Sequence, residues 1–95
     1  MSIESFGARL RAARLAAGFH NGDDAWLALK AVYRRTPSRS TFLRLESDPD
    51  AERRANPAVF AIYCEHVLGV DPSTISVELG DAIVELRRLV DVEQA

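Results

Sequence analysis

Ser38-Arg39-Ser40-Thr41-Phe42-Leu43-Arg44-Leu45-Glu46 is the stretch on which the reading of this 95-residue chain turns. Thr36-Pro37 stands immediately before it, and a residue that precedes proline is pushed out of the helical region, so one helix should end there and another begin. Ser38 has the side chain of an N-cap. Thr36, with Pro37 at the first helical position, is a competing start. A short helix over residues 39–47 follows, with Phe42 and Leu45 inward and Thr41 at their border. Arg39, Ser40, Leu43 and Arg44 are left on the outward side.

Working outward, residues 24–35 are expected to form the preceding helix. Ala25, Ala28, Leu29 and Val32 make its inner stripe, widened by Trp26 and Tyr33. Before it, Ile3, Phe6, Leu10, Ala13 and Ala17 recur at spacings of three and four, which predicts a first helix over about 3–17. Ser2 is its expected N-cap, and Gly18 its left-handed stop with Phe19 folding back. Downstream, residues 48–56 are predicted to be a polar, charged loop. Asn56-Pro57 opens a fourth helix, which carries Val59, Phe60, Tyr63, Val67 and Leu68 at helical spacing and closes at Gly69. Asp71-Pro72-Ser73 is a turn, residues 75–79 a packed connection, and residues 81–92 a fifth helix. The expected class is therefore all-α: a compact five-helix fold, with four helices in a domain over 1–79 and the fifth, C-terminal helix within 80–95.

Composition narrows the function. A hydrophobic fraction of 47% belongs to a globular chain. No apolar run approaches the roughly 20 residues of a membrane-spanning helix. Residues 1–7 lack the positive start and apolar stretch of a signal peptide. Cys64 is the single cysteine, so neither an internal disulfide nor a zinc site is expected. His20, His66 and the acids show no catalytic or metal-ligating spacing, and no glycine-rich phosphate loop is present. The expectation is a protein that is not an enzyme and takes no cofactor. Net charge is −2, yet residues 34–54 hold six arginines (Arg34, Arg35, Arg39, Arg44, Arg53, Arg54) against four acids. Residues 71–95 reverse that balance, with six acids against Arg87 and Arg88. A basic middle and an acidic tail allow a basic face on an acidic chain.

Two helices about a tight turn, the second short with a polar, basic N-terminus, have the sequence form of a helix-turn-helix. Three stretches together resemble the lambda-repressor-like (Cro-type or XRE-type) family. They are Phe6-Gly-Ala-Arg-Leu-Arg-Ala-Ala-Arg-Leu-Ala-Ala-Gly-Phe19, the segment 38–46, and Asn56-Pro57 with the apolar helix ending in Leu68-Gly69-Val70. They span roughly residues 6–70. The resemblance implies an ion pair between Arg14 and Glu46 as a structural clamp. It also implies base reading by Arg39, Ser40 and Leu43, an arginine reaching guanine bidentately and a leucine meeting a thymine methyl. Arg44 is expected at a phosphate, and Ser38, Arg34, Arg35, Arg53 and Arg54 complete the expected DNA contacts.

The pattern is departed from in three places. The second helix is about one turn too long, the glutamine that often begins it is replaced by Asn21 or Asp23, and the loop 47–56 carries Asp48, Asp50 and Glu52. Acids beside a phosphate backbone repel it.

The expected function is a sequence-specific regulator of double-stranded DNA, a phage-type repressor, a Cro-like switch or an operon autoregulator, in the cytoplasm of a bacterial or phage-infected cell. The alternative is a protein-binding module on the same fold. Ile83, Leu86, Leu89 and Val90 form a stripe on the last helix that either packs on the domain or makes a homodimer.

Overall fold

The computed structural model describes residues 5–94, with side chains described for residues 5–90. It is an all-helical globule of six helices, with no strand among the described residues. The expected cap at Ser2 and the apolar residue Ile3 lie outside that range.

Helix α1 (Phe6–Ala16) starts at Ser5, whose Oγ accepts the Ala8 N–H at 3.1 Å. It ends as anticipated at Gly18, where φ is +95°. The Gly18 N–H reaches the Leu15 carbonyl at 3.0 Å and the Phe19 N–H reaches the Arg14 carbonyl at 3.1 Å. These two bonds satisfy carbonyls that a helix end otherwise leaves open.

Helix α2 (Gly22–Val32) is capped by Asn21, whose side chain accepts the Asp24 N–H at 2.8 Å. It ends three residues earlier than the apolar pattern predicts, and Tyr33 is already extended. Pro37 supplies the reason. A longer helix would need the Pro37 N–H to meet the Tyr33 carbonyl, and proline has none. The Thr36 hydroxyl donates to that carbonyl instead, and the Trp26 indole N–H donates to the Pro37 carbonyl at 2.9 Å. Val32 consequently sits at the helix exit and is exposed, outside the inner stripe.

After the connection 33–38, α3 (Arg39–Ser47) begins at Ser38, whose Oγ accepts the Thr41 N–H at 3.3 Å. The expected polar loop that follows contains a further turn of helix, α4 (Ala51–Arg54), because Ala51 is buried and pins it to the core. Helix α5 (Pro57–Ile62) opens on Asn56, whose Oδ1 accepts the Ala58 N–H at 2.9 Å, and continues as a π-helical stretch, Tyr63–Leu68, closed by Gly69 at φ +70°.

A 3₁₀ turn, Pro72–Thr74, leads into α6 (Val77–Gln94). The last helix thus starts four residues before the expected Asp81 and runs through Gly80. Ser76 makes that start: it is buried, its Oγ accepts the Leu79 N–H at 3.1 Å, and it donates to the Glu52 carboxylate at 2.5 Å. Gly80 is needed inside the helix, since a Cβ there would stand 2.7 Å from Ser73 Cβ. One core joins all parts: Phe6 and Leu10 from α1, Ala25 and Leu29 from α2, Phe42, then Phe60, Tyr63, Cys64, Leu68, Ile75, Leu79 and Ile83.

Candidate nucleic-acid interface

Helix α3 is gripped at both ends. Near its middle Phe42 is buried, with its ring edge-on to Tyr63 at a centroid separation of 4.9 Å. At its C-terminal end, Arg14 Nε donates to Glu46 Oε2 at 2.8 Å and Arg14 Nη2 to Glu46 Oε1 at 3.1 Å. The third arm of the guanidinium, Nη1, donates to the Phe19 carbonyl at 2.8 Å. One arginine therefore ties α1, the turn that ends α1, and α3, and its hydrogen bond to Glu46 raises its pKa further. Gly7 permits this proximity, since a Cβ at that position would lie 2.1 Å from the Glu46 carbonyl oxygen.

At its N-terminal end α3 meets the first turn of α2. A Cβ on Gly22 would fall 2.4 Å from Leu43 Cδ2, so the leucine covers that glycine. One helical turn earlier, Arg39 makes a two-point pair with Asp23, Nε to Oδ1 and Nη2 to Oδ2, the latter at 3.0 Å. That pairing lowers the pKa of Asp23 and raises that of Arg39. Leu43 is half-buried against the core, so it does not present an open side chain to a thymine methyl; this corrects its expected place on the outward face. The face that is open carries Ser40, Thr41, Arg44 and Ser47. Ser40, Arg44 and Ser47, at spacings of four and three, form a single stripe.

The flanking arginines are all exposed: Arg34 and Arg35 in the connection before α3, Arg53 and Arg54 on α4. Three of the arginines expected to contact DNA converge. Arg35, Arg44 and Arg54 line one hollow of about 360 Å³ whose apolar floor includes Leu45 and Val59. Among the described residues, no ion pair joins Arg34, Arg35, Arg44 or Arg53 to an acid.

The acids of the loop after α3 are largely engaged. Glu52 accepts from Ser76 Oγ, Asp48 Oδ1 accepts the Asp50 N–H at 2.9 Å, and Asp48 Oδ2 stands 3.7 Å from Arg54 Nη1. Asp50 remains exposed. Sequence reasoning gives Asp23 no link to Arg39. Sixteen residues separate them, and only the packing of Gly22 on Leu43 brings them together.

Comparison with family models, with curated proteins and with solved structures finds no match to this chain.

Two further expectations find their place in the structure. Ile83 is buried in the core, so it is not available to a dimer interface; Leu86, Leu89 and Val90, from the same stripe, are exposed. Between them, exposed Arg87 donates to both oxygens of Glu65 and ties α6 to the π-helical stretch. Cys64 is buried, and burial pushes its thiol up to about 12, where it is no nucleophile at neutral pH.

Proposed function

We propose that this chain is a sequence-specific DNA-binding regulator with a lambda-repressor-like helix-turn-helix, which lays the open stripe of α3 in the major groove. One observation carries the reading: α3 is clamped along one side by Phe42 and Glu46, while its other side is exposed and polar and stands among Arg34, Arg35, Arg44 and Arg53, which have no ion-pair partner among the described residues. A helix that must enter a groove needs that asymmetry, with an apolar anchor on one face and free donors on the other. In this reading Arg39 and Ser40, at the helix N-terminus, meet base edges. Arg35, Arg44 and Arg54, converging on one hollow, meet phosphate oxygens and set the register of the protein on the duplex. Ser38, Arg34 and Arg53 lie at the margins of the same face.

The exposed end of α6 completes the proposal. Leu86, Leu89 and Val90 continue the stripe that Leu79 and Ile83 begin in the core, and they pair two copies about a two-fold axis. Such a dimer places two α3 helices one DNA turn apart, roughly 34 Å.

The test is a titration of labelled duplex DNA over a salt series. The logarithm of the affinity falls linearly with the logarithm of salt, and replacing Arg35, Arg44 or Arg54 by alanine lowers that slope by about one for each arginine removed from a phosphate. Leu89→Lys in the same series turns dimer into monomer in sedimentation and weakens binding to a two-half-site duplex. A wild-type chain that binds no duplex at ~50 mM salt refutes the reading. The exposed stripe of α6 then becomes the surface of a protein-binding module.

A further inference from the structure

The pair between Arg39 and Asp23 uses one particular edge of the guanidinium. Asp23 takes the Nε hydrogen and one Nη2 hydrogen, the side-on edge. An arginine has five N–H donors in a planar fork. The side-on pair leaves both Nη1 hydrogens and the second Nη2 hydrogen, so the end-on edge, Nη1 with Nη2, keeps two parallel donors. Guanine offers the matching acceptors, N7 and O6, side by side in the major groove. Both partners stand at the rim, with the Arg39 side chain 56% exposed and that of Asp23 48%. The backbone that carries the carboxylate is anchored, because Asp23 lies in the first turn of α2 and Gly22 packs beneath Leu43 on the side of α3 that carries Arg39.

We infer that Asp23 is a specificity-determining positioning residue: it holds the end-on edge of Arg39 toward a guanine and keeps that arginine from swinging to a phosphate. The inference rests on the DNA-binding reading of α3. It has two opposed consequences. A carboxylate near the backbone of DNA repels phosphates, so Asp23 lowers affinity for duplexes of any sequence. An arginine already ordered loses less side-chain freedom on binding one base, so Asp23 raises discrimination at that base. A pair that served only to tie α2 to α3 would repel phosphates as well but would not raise discrimination at one base.

The experiment selects binding sites from a randomised duplex library with the full chain, wild type against Asp23→Ala, Asp23→Asn and Arg39→Ala. Circular dichroism of each variant runs alongside. The expected wild-type sites hold a guanine at one position of each half-site. In Asp23→Ala that preference drops on the order of tenfold, the other positions keep theirs, and affinity for unrelated duplex rises. Asp23→Asn, of the same size but with a single acceptor oxygen, falls in the same direction, and Arg39→Ala loses the same position. Asp23 is not the positioning residue if Asp23→Ala keeps the guanine preference in full, loses preference evenly at all positions, or binds unrelated duplex more weakly. It is not so either if both Asp23 variants lose their helical spectrum, for the pair is then structural. A wild type that selects no site at low salt overturns the DNA reading itself, a result distinct from those and visible before any variant is compared.

Discussion

Replacing Arg14 by methionine tests the clamp on which the presentation of α3 depends. Methionine keeps most of the buried stem, so the change removes three hydrogen bonds and a charge without opening a large cavity. The two bonds to Glu46 are 2.8 and 3.1 Å, and the third reaches the Phe19 carbonyl at 2.8 Å. Breaking a buried pair by removing one partner costs about 3–5 kcal/mol. The Glu46 side chain retains 21% exposure against 7% for Arg14, so the orphaned carboxylate recovers part of its hydration. The low end, about 3 kcal/mol, is therefore expected. For a domain of this size that corresponds to a fall in Tm of roughly 12–24 °C. Glu46→Gln keeps an acceptor for Nε and should cost about 1–2 kcal/mol. The combined Arg14→Met, Glu46→Leu variant replaces the pair by apolar groups, and its loss should fall short of the sum of Arg14→Met and Glu46→Leu by at least ~1 kcal/mol. Urea melts followed by circular dichroism measure all of these, and an unchanged m-value shows that stability alone has moved. The reasoning is refuted if Arg14→Met lies within ~0.5 kcal/mol of wild type, the range of an ordinary surface change, or if the two losses simply add.

Two further expectations concern the core. Gly7→Ala would bring a methyl to 2.1 Å from the Glu46 carbonyl oxygen and 2.8 Å from its carbon, both backbone atoms, so α1 and α3 must separate. Overpacking of this kind costs about 1–3 kcal/mol or more, which outweighs the helix propensity alanine gains over glycine, about 1 kcal/mol; a net loss in a chemical melt is the outcome that checks it. Cys64 gives a pH signature. Burial raises its thiol from 9.0 to about 12, so the folded chain keeps a proton that the unfolded chain gives up. Stability from this group is complete below the unfolded value and declines as pH rises through the interval toward 12. About 1 kcal/mol should be gone near pH 10, in urea melts against pH, and Cys64→Ala should show a shallower decline.

Much of this fold is written in signals that act within a turn of their own position. Ser38, Asn56-Pro57, Gly18 and Gly69 each set a helix end by satisfying or releasing nearby backbone groups, and α3 starts and stops where residues 38–47 alone indicate. What is not legible depends on groups far apart in the chain. The start of α6 needs Ser76, whose hydroxyl is engaged by Glu52, 24 residues earlier. Helix α4 exists because Ala51 finds the core, which a reading of charge in 48–56 does not register. The end of α2 is an intermediate case: Pro37 marks a break in the sequence, but the break acts at the Tyr33 carbonyl, four residues back. The site divides in the same way. The pattern of outward residues names Arg39, Ser40 and Arg44, whereas the half-burial of Leu43 and the partner of Arg39 follow from how the first turn of α2 lies against α3.

The acids after α3 are the strongest argument against a nucleic-acid partner, and their placement changes its weight. Glu52 caps α6 through Ser76, and Asp48 serves the turn into α4 and stands beside Arg54. Charge that is already hydrogen-bonded within the fold still acts at a distance, and Asp48 pairs with Arg54, but Arg34, Arg35, Arg44 and Arg53 have no acid partner among the described residues. Those arginines differ from the ones on α6, where Arg87 and Arg88 each have a glutamate partner. Surface cations that only solvate a helix gain a few tenths of a kcal/mol from such pairs. Arg34, Arg35, Arg44 and Arg53 leave unpaired positive charge beside α3, which the proposed attraction of phosphates requires. Two acids pair on that face, Asp48 with Arg54 and Asp23 at two points with Arg39, the arginine proposed to choose a base.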